Sequence, residues 1–232
     1  MHHKEQVMAP ILEKGLGVIC TTPKDLDTDS FGTFSGETAR TSDALTVARQ
    51  KCLAAIVTTD CDLAVASEGS FGPHPSAYFA TADDELVVLL DRENQLEIIG
   101  RSVSFKTNFS GSSITTEQEL LDFAAQATFP SHGLILRPSQ YSTEDMVKGI
   151  VYPDVLLEQF HYLKAKYSTV FVETDMRALY NPTRMEIISM ATKQLVQNVQ
   201  SLCPECQTPG FIITDVKTGL PCSWCGSTTS SV

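Results

Sequence analysis

Asp62-Leu63-Ala64-Val65-Ala66-Ser67 runs directly into Glu68-Gly69-Ser70-Phe71-Gly72-Pro73-His74-Pro75. The first six residues read as a short apolar strand. The next eight are too rich in glycine and proline to read as regular structure. An acidic side chain is thus delivered by a strand into a small-residue loop, the place where an open α/β sheet binds ligands. Outward from this point, strands and helices alternate. A helix covers Lys4–Lys14, with Val7, Met8, Ile11 and Leu12 on one face, and Gly15–Cys20 reads as a strand. Ser42 or Asp43 caps a helix to about Ile56. Glu85–Leu90 and Leu96–Phe105 are strands joined by a hairpin loop at Asp91–Gln95. Thr116 opens a helix as a capping box with Glu119. Gly133–Leu136 and Thr169–Val172 are further strands. Helices begin at Pro153 and Pro182, the latter running to about Gln200. The class is therefore α/β, with a domain over residues 1–200 and a separate module over 201–232.

That module carries Cys203-Pro-Glu-Cys206 and, fifteen residues later, Cys222-Ser-Trp-Cys225-Gly226. Two C-x-x-C knuckles at this spacing read as a zinc ribbon. Cys203, Cys206, Cys222 and Cys225 would close a tetrahedron around structural Zn2+ with no open position for catalysis. Two disulfides or a redox pair are the competing readings. A hairpin is expected between the knuckles: Phe211–Ile213, a turn at Lys217–Gly219, then Leu220–Pro221. In ~30 residues the metal supplies folding energy that a small core cannot.

The chain has 232 residues, 42% of them hydrophobic, and a formal net charge of -11. Four ionised thiolates around one zinc would make it about -13. The ribbon has no basic face, which disfavours nucleic acid as a partner. A phosphorylated small molecule needs only a few local cations. No apolar run is long enough for a membrane span and no signal peptide is visible. Cys20, Cys52 and Cys61 read as free thiols of a reducing cytoplasm.

Polar residues gather in three loops. They are Asp27–Arg40, Ser67–Pro75 and Glu173–Arg184, the last containing Asp175, Arg177 and Asn181. Carboxylates beside small residues suit hydrated magnesium, and Arg177 and Arg184 at a helix start suit an anion. Each has a plainer reading. Glu173 and Asp175 can pair with Arg177 or cap the helix, Gly72–Pro75 can be a tight turn, and His74 and His132 can be core or base-contacting residues.

The order of segments resembles the inosine triphosphate pyrophosphatase superfamily. His2-His3-Lys4-Glu5 before a helix resembles its T-x-N-x-x-K turn. Glu37 followed by Val47-Ala48-Arg49-Gln50-Lys51-Cys52 resembles its loop glutamate and N-A-x-x-K-A helix. Ala66–Ser70 resembles its A-D-D-S-G strand end, Ile99–Phe105 its G-x-x-R-S-x-S-F stretch, and Thr174–Ala178 its S-H-R motif. Asparagine is absent from the first turn, Ser67 replaces one acid and Met176 the histidine. The S-E-G-S-F-G-P-H-P, T-D-M-R-A and N-P-T-R-M motifs with the terminal ribbon also resemble a bacterial family of uncharacterised proteins. The resemblance implies one mixed sheet with flanking helices and a first strand lying before Met1. It also implies Mg2+-dependent hydrolysis of a nucleoside triphosphate to monophosphate and pyrophosphate. Glu37 and Glu68 would hold magnesium, Glu68 also orienting water. Lys4, Lys51, Arg177 and Ser70 would contact phosphates, and Phe71, His74, Asn181 and Arg184 the base or sugar. A nucleotide sensor without turnover, or an interaction protein docking through its ribbon, is the alternative. A homodimer is an open assembly state.

Overall fold

The computed structural model describes residues 3–23, 26, 43–74 and 76–231. They form five α-helices and two sheets. In chain order these are α1 (Glu5–Leu16), α2 (Ala44–Thr59), β1 (Leu63–Pro73), β2 (Thr81–Asp91), β3 (Leu96–Ser104), β4 (Gly111–Ile114), α3 (Glu117–Gln126), β5 (Leu134–Arg137), β6 (Val147–Ile150), α4 (Pro153–Lys166), β7 (Val170–Thr174) and α5 (Pro182–Gln200). The class is mixed α and β. One sheet has the order β1-β2-β3, the other β4-β7-β5-β6. Every pairing in both is antiparallel. This corrects the expectation of a single mixed sheet, and the crevice rule for parallel strand ends has no purchase here.

The first sheet is covered on both faces. Alternation along β1, β2 and β3 sends Ala64, Val88 and Ile99 towards α2, where Ala48, Cys52 and Ile56 recur at helical spacing. Val65, Val87, Leu89 and Ile98 point the other way, onto Met8 and Leu12 of α1 and Ile188, Ala191 and Leu195 of α5. Burying each such side chain contributes about 1.5–3 kcal/mol. Gly100 lets α5 lie directly on β3. A Cβ there would stand 2.3 Å from the Ala191 carbonyl oxygen and 2.3 Å from the Leu195 nitrogen.

The second sheet packs α3 and α4 on one core, with Leu120, Ala124, Leu156, Phe160 and Leu163 against Leu134, Leu136, Val170 and Val172. The Thr116 capping box forms as expected. Thr116 accepts from the Glu119 N–H at 3.2 Å, and Glu119 accepts from the Thr116 N–H at 3.1 Å. Asp43 caps α2, accepting from the Thr46 N–H at 3.1 Å; Ser42 lies outside the described residues. Among the described residues no helix is long and apolar enough to cross a membrane.

Three expected elements differ. Gly15–Cys20 is not a strand. α1 runs on to Leu16 and stops at Gly17, whose φ of 70° is left-handed and whose N–H returns to Glu13 O. The loop expected at Glu68–Pro75 is instead strand as far as Pro73, because β2 offers partners down to Gly72↔Ala82 and Pro73↔Thr81. β1 is an edge strand, which tolerates proline at its end. The hairpin expected within Phe211–Pro221 is absent. Each knuckle closes on itself instead, through the bridges Leu202↔Pro209 and Pro221↔Thr228. β4 and β6, of four residues each, are short strands that the sequence pattern did not mark.

Gly100→Ala is expected to force α5 off the sheet and to cost about 1–3 kcal/mol. Gly72→Ala, whose Cβ would meet nothing within 4 Å, should be near neutral. Parallel thermal melts check the contrast.

Candidate functional site

β1 alternates through the very residues expected in a loop, so their side chains divide between two faces. Glu68 faces α2 and is ion-paired with Lys51. It is 2% exposed, so it is a buried member of a pair and not a cleft-facing acid. Removing one partner of such a pair costs ~3–5 kcal/mol, so a change at Glu68 bears on folding.

Ser67, Gly69 and Phe71 face α1 and α5. Lys4, at the N-terminus of α1, donates to the Ser67 carbonyl at 3.2 Å and to its hydroxyl at 3.0 Å. Opposite them, β2 places Glu85 beside Gly69 and Asp83 beside Phe71. Glu85 needs the glycine, because a Cβ at Gly69 would stand 2.2 Å from Glu85 Oε1. Glu85 Oε1 accepts from Arg184 Nε on α5. This pair is 1% and 0% exposed. Arg184 also donates to the Met176 carbonyl and lies 5.2 Å over the Phe71 ring. Phe71 in turn stacks on Phe109 at 5.6 Å.

Asp83 completes the group. It is 1% exposed, and neither carboxylate oxygen has a hydrogen-bond partner; Glu85 Oε2 has none either. Burial, then the neighbouring Glu85, pushes the Asp83 carboxyl up to about 8, against the pull of Arg184 and Lys4. Burial, then Arg184, pushes the Lys4 ammonium down to about 8. Burial and a like-charged neighbour thus disfavour the ionised form of both Asp83 and Lys4.

The remaining expected residues are placed as follows. Ser70 is exposed on β1. His74 follows β1, accepts from the Ser76 and Ala77 N–H groups at 3.1 and 3.2 Å, and stacks on Phe105 at 4.3 Å. Asn181 caps α5, accepting from the Arg184 N–H at 3.0 Å and donating to Asn108 at 2.8 Å. Arg177 sits after β7 in the other sheet. Asp175 holds it through Nε at 2.9 Å and Nη2 at 2.6 Å, and it lies over Tyr180 at 4.6 Å. Glu173 pairs with Arg137. The plainer reading of Asp175 as the partner of Arg177 therefore holds, whereas Glu173 pairs with Arg137 and neither with Arg177 nor with the helix start. His132 is a core histidine, its Nε2 2.9 Å from Thr183 Oγ1. Glu37 lies outside the described residues.

Asp83 and Glu85 escaped the sequence reading. Their signal is parity: in Asp83-Asp84-Glu85-Leu86-Val87, residues 83 and 85 share a face with Val87 and Leu89, which are core.

The two knuckles are built alike. Cys203 N–H donates to Thr208 O at 2.9 Å and Cys222 N–H to Ser227 O at 2.8 Å. Gln207 N–H returns to Cys203 O at 2.9 Å and Gly226 N–H to Cys222 O at 2.8 Å. Gln207 and Gly226 share a left-handed φ, 60° and 71°. Each knuckle thus brings two thiols together. Among the described residues no group of three or more Cys, His, Asp or Glu is arranged around one ion, so the four cysteines stand as two half-sites.

The pH dependence of Asp83 has a definite sign. Its folded value lies above the ordinary 3.8, so the folded state keeps a proton that the unfolded chain loses. The stability this contributes is present below about pH 4 and is lost as pH rises through about 8. Lys4 acts in a different window, adding stability between about 8 and 10.5. Glu85, Asp84, Lys4 and Arg184 all act on Asp83 and are unchanged in Asp83→Asn. In metal-free buffer the melting temperature of Asp83→Asn should gain on the native protein by roughly 5 °C or more between pH 5 and pH 8. A constant difference across that range contradicts the assignment.

No curated protein and no solved structure matches the chain. A family model described as a domain of unknown function, DUF6671, matches residues 51–232, and the chain belongs to that family.

Proposed function

We propose that this protein hydrolyses a nucleoside triphosphate to the monophosphate and pyrophosphate with the help of magnesium, the activity that its motif resemblance to the inosine triphosphate pyrophosphatases implies. The reading is carried by Lys4 of α1 and Arg184 of α5, which meet on the face of β1 that carries Ser67, Gly69 and Phe71, within a chain of net charge -11. Two cations drawn onto one face of a short strand in an acidic protein fit an anionic ligand.

In this mechanism Lys4 and Arg184 neutralise phosphate oxygens on the α1 and α5 face, while Lys51, on the α2 face, holds Glu68. Phe71, against Phe109, offers an aromatic face to the base. Magnesium supplies charge at the phosphate oxygens when bound. Of the ligands that the resemblance implies, Glu68 is buried and held by Lys51; it would have to leave that pair to hold magnesium or to orient the attacking water.

The knuckles would hold one structural zinc through Cys203, Cys206, Cys222 and Cys225, the ion drawing the two half-sites together. Four thiols are the donor set that the ion prefers. Elemental analysis of protein purified without chelator is expected to give one zinc per chain, and none after Cys203→Ser combined with Cys222→Ser. Absence of zinc with four titratable thiols in the native protein would overturn this assignment.

Pyrophosphate release, screened across nucleoside triphosphates with magnesium, tests the activity. Glu68→Gln should lower turnover about a hundredfold, ~3 kcal/mol of transition-state stabilisation. The comparison is made below the melting temperature of both proteins and at equal zinc content. Equal turnover removes Glu68 from the mechanism. Nucleotide binding without turnover by the native protein favours the sensor instead.

A further inference from the structure

We infer that the carboxylates of Asp83 and Glu85 together form a binding site for one divalent cation of the magnesium or manganese type. The site differs from the Glu37 and Glu68 pair and stands on its own observations. It rests on the hydrolase reading only for the use to which the cation is put.

The two acids occupy alternate positions on β2, so both point to the face covered by α1 and α5, with Cα atoms roughly 7 Å apart. Asp83 is 1% exposed with both oxygens unbonded, and Glu85 is fully buried with Oε2 unbonded. A buried carboxylate without a donor is costly as an anion. As a neutral acid it leaves a buried O–H with nothing to bond. A divalent cation between the two resolves the cost for all three oxygens at once. All are hard oxygen donors, which select magnesium or manganese over zinc or copper. Magnesium needs only one or two protein carboxylates, its remaining positions going to water and phosphate. The absence of a third acid among the described residues is therefore no obstacle.

The surroundings match a cation that carries a phosphate. Ser102 and Ser104 are the β3 register partners of Glu85 and Asp83, adding hydroxyls beside the acids. Lys4 and Arg184 flank them and, with both acids ionised, leave the group neutral. One divalent ion then makes it doubly positive, the complement of a phosphate dianion. Proton and metal compete for Asp83. The charged groups that act on it are Glu85 and Asp84 from β2, Lys4 from α1 and Arg184 from α5. Glu68 and Lys51 act on the same cluster through Lys4.

The test is titration of full-length, zinc-matched protein with Mn2+, following the loss of the free-ion electron paramagnetic resonance signal without nucleotide. One stoichiometric site is expected at pH 8. Asp83→Asn should abolish it. Asp84→Asn, whose side chain pairs with Arg101 at 2.5 Å, should keep it. Since Asp83→Asn removes a buried charge without changing shape, its fold is checked by the same melt. No stoichiometric Mn2+ in native protein at pH 8, or binding unchanged in Asp83→Asn, overturns the site. Failure to release pyrophosphate with the Mn2+ site intact overturns the hydrolase reading alone.

Discussion

The buried ion pair between Arg184 and Glu85 is the constraint around which the site is arranged. Two opposite charges at 1% and 0% exposure are tolerated only where the geometry around both is supplied by the fold. Here it is supplied from several directions. Gly69 has no side chain and leaves room for the carboxylate. Asn181 caps α5, so that the helix begins with Arg184 over β2. Gly100 lets the same helix settle against the backbone of β3. The Met176 carbonyl accepts from the guanidinium and ties the end of β7 to the pair. A side chain added at either glycine would separate the charges or lift the helix.

That arrangement has an electrostatic consequence. Arg184 serves Glu85 through Nε, and Asp83, two residues away on β2, is left without a donor. A structural core would have had an apolar residue at this position, because a hydrophobic side chain of similar size costs nothing to bury. An acid kept there at energetic expense fits a group held for a ligand, and perturbed acids in such places mark functional sites more often than structural ones. Lys4 meets the same environment from the other side and is pushed towards neutrality. The two shifts share one leading cause, the removal of water from the cluster.

Much of the local structure was legible in the sequence because it is written in local chemistry. Thr116 with Glu119, Pro182 after Asn181, and the turn before Leu96 each specify an element boundary without reference to the rest of the chain. The failures share one origin, that pairing overrides propensity. Gly69, Gly72 and Pro73 argue against a strand until β2 provides eleven residues for β1 to pair with. Once they are strand, neighbours in sequence part company. Ser67 and Gly69 go to α1 and α5, while Glu68 goes to Lys51. A site read as a contiguous motif is thereby split across a sheet, and the acids beside Arg184 come from a segment read only as hairpin. Gly15 to Cys20 failed for the opposite reason. Apolar residues after a glycine resemble a strand, but Gly17 closes a helix. Asp175 with Arg177 was legible as a local ion pair because two residues suffice to form it.

The account depends most directly on Arg184 and Glu85 acting as one coupled unit. A double-mutant cycle of unfolding free energies, with Arg184→Met, Glu85→Met and the pair together, measures that coupling. Each single change should cost about 3–5 kcal/mol by stranding a buried charge, and the double change far less than their sum. Additive costs, with a coupling energy near zero, would contradict the claim that this pair organises the site.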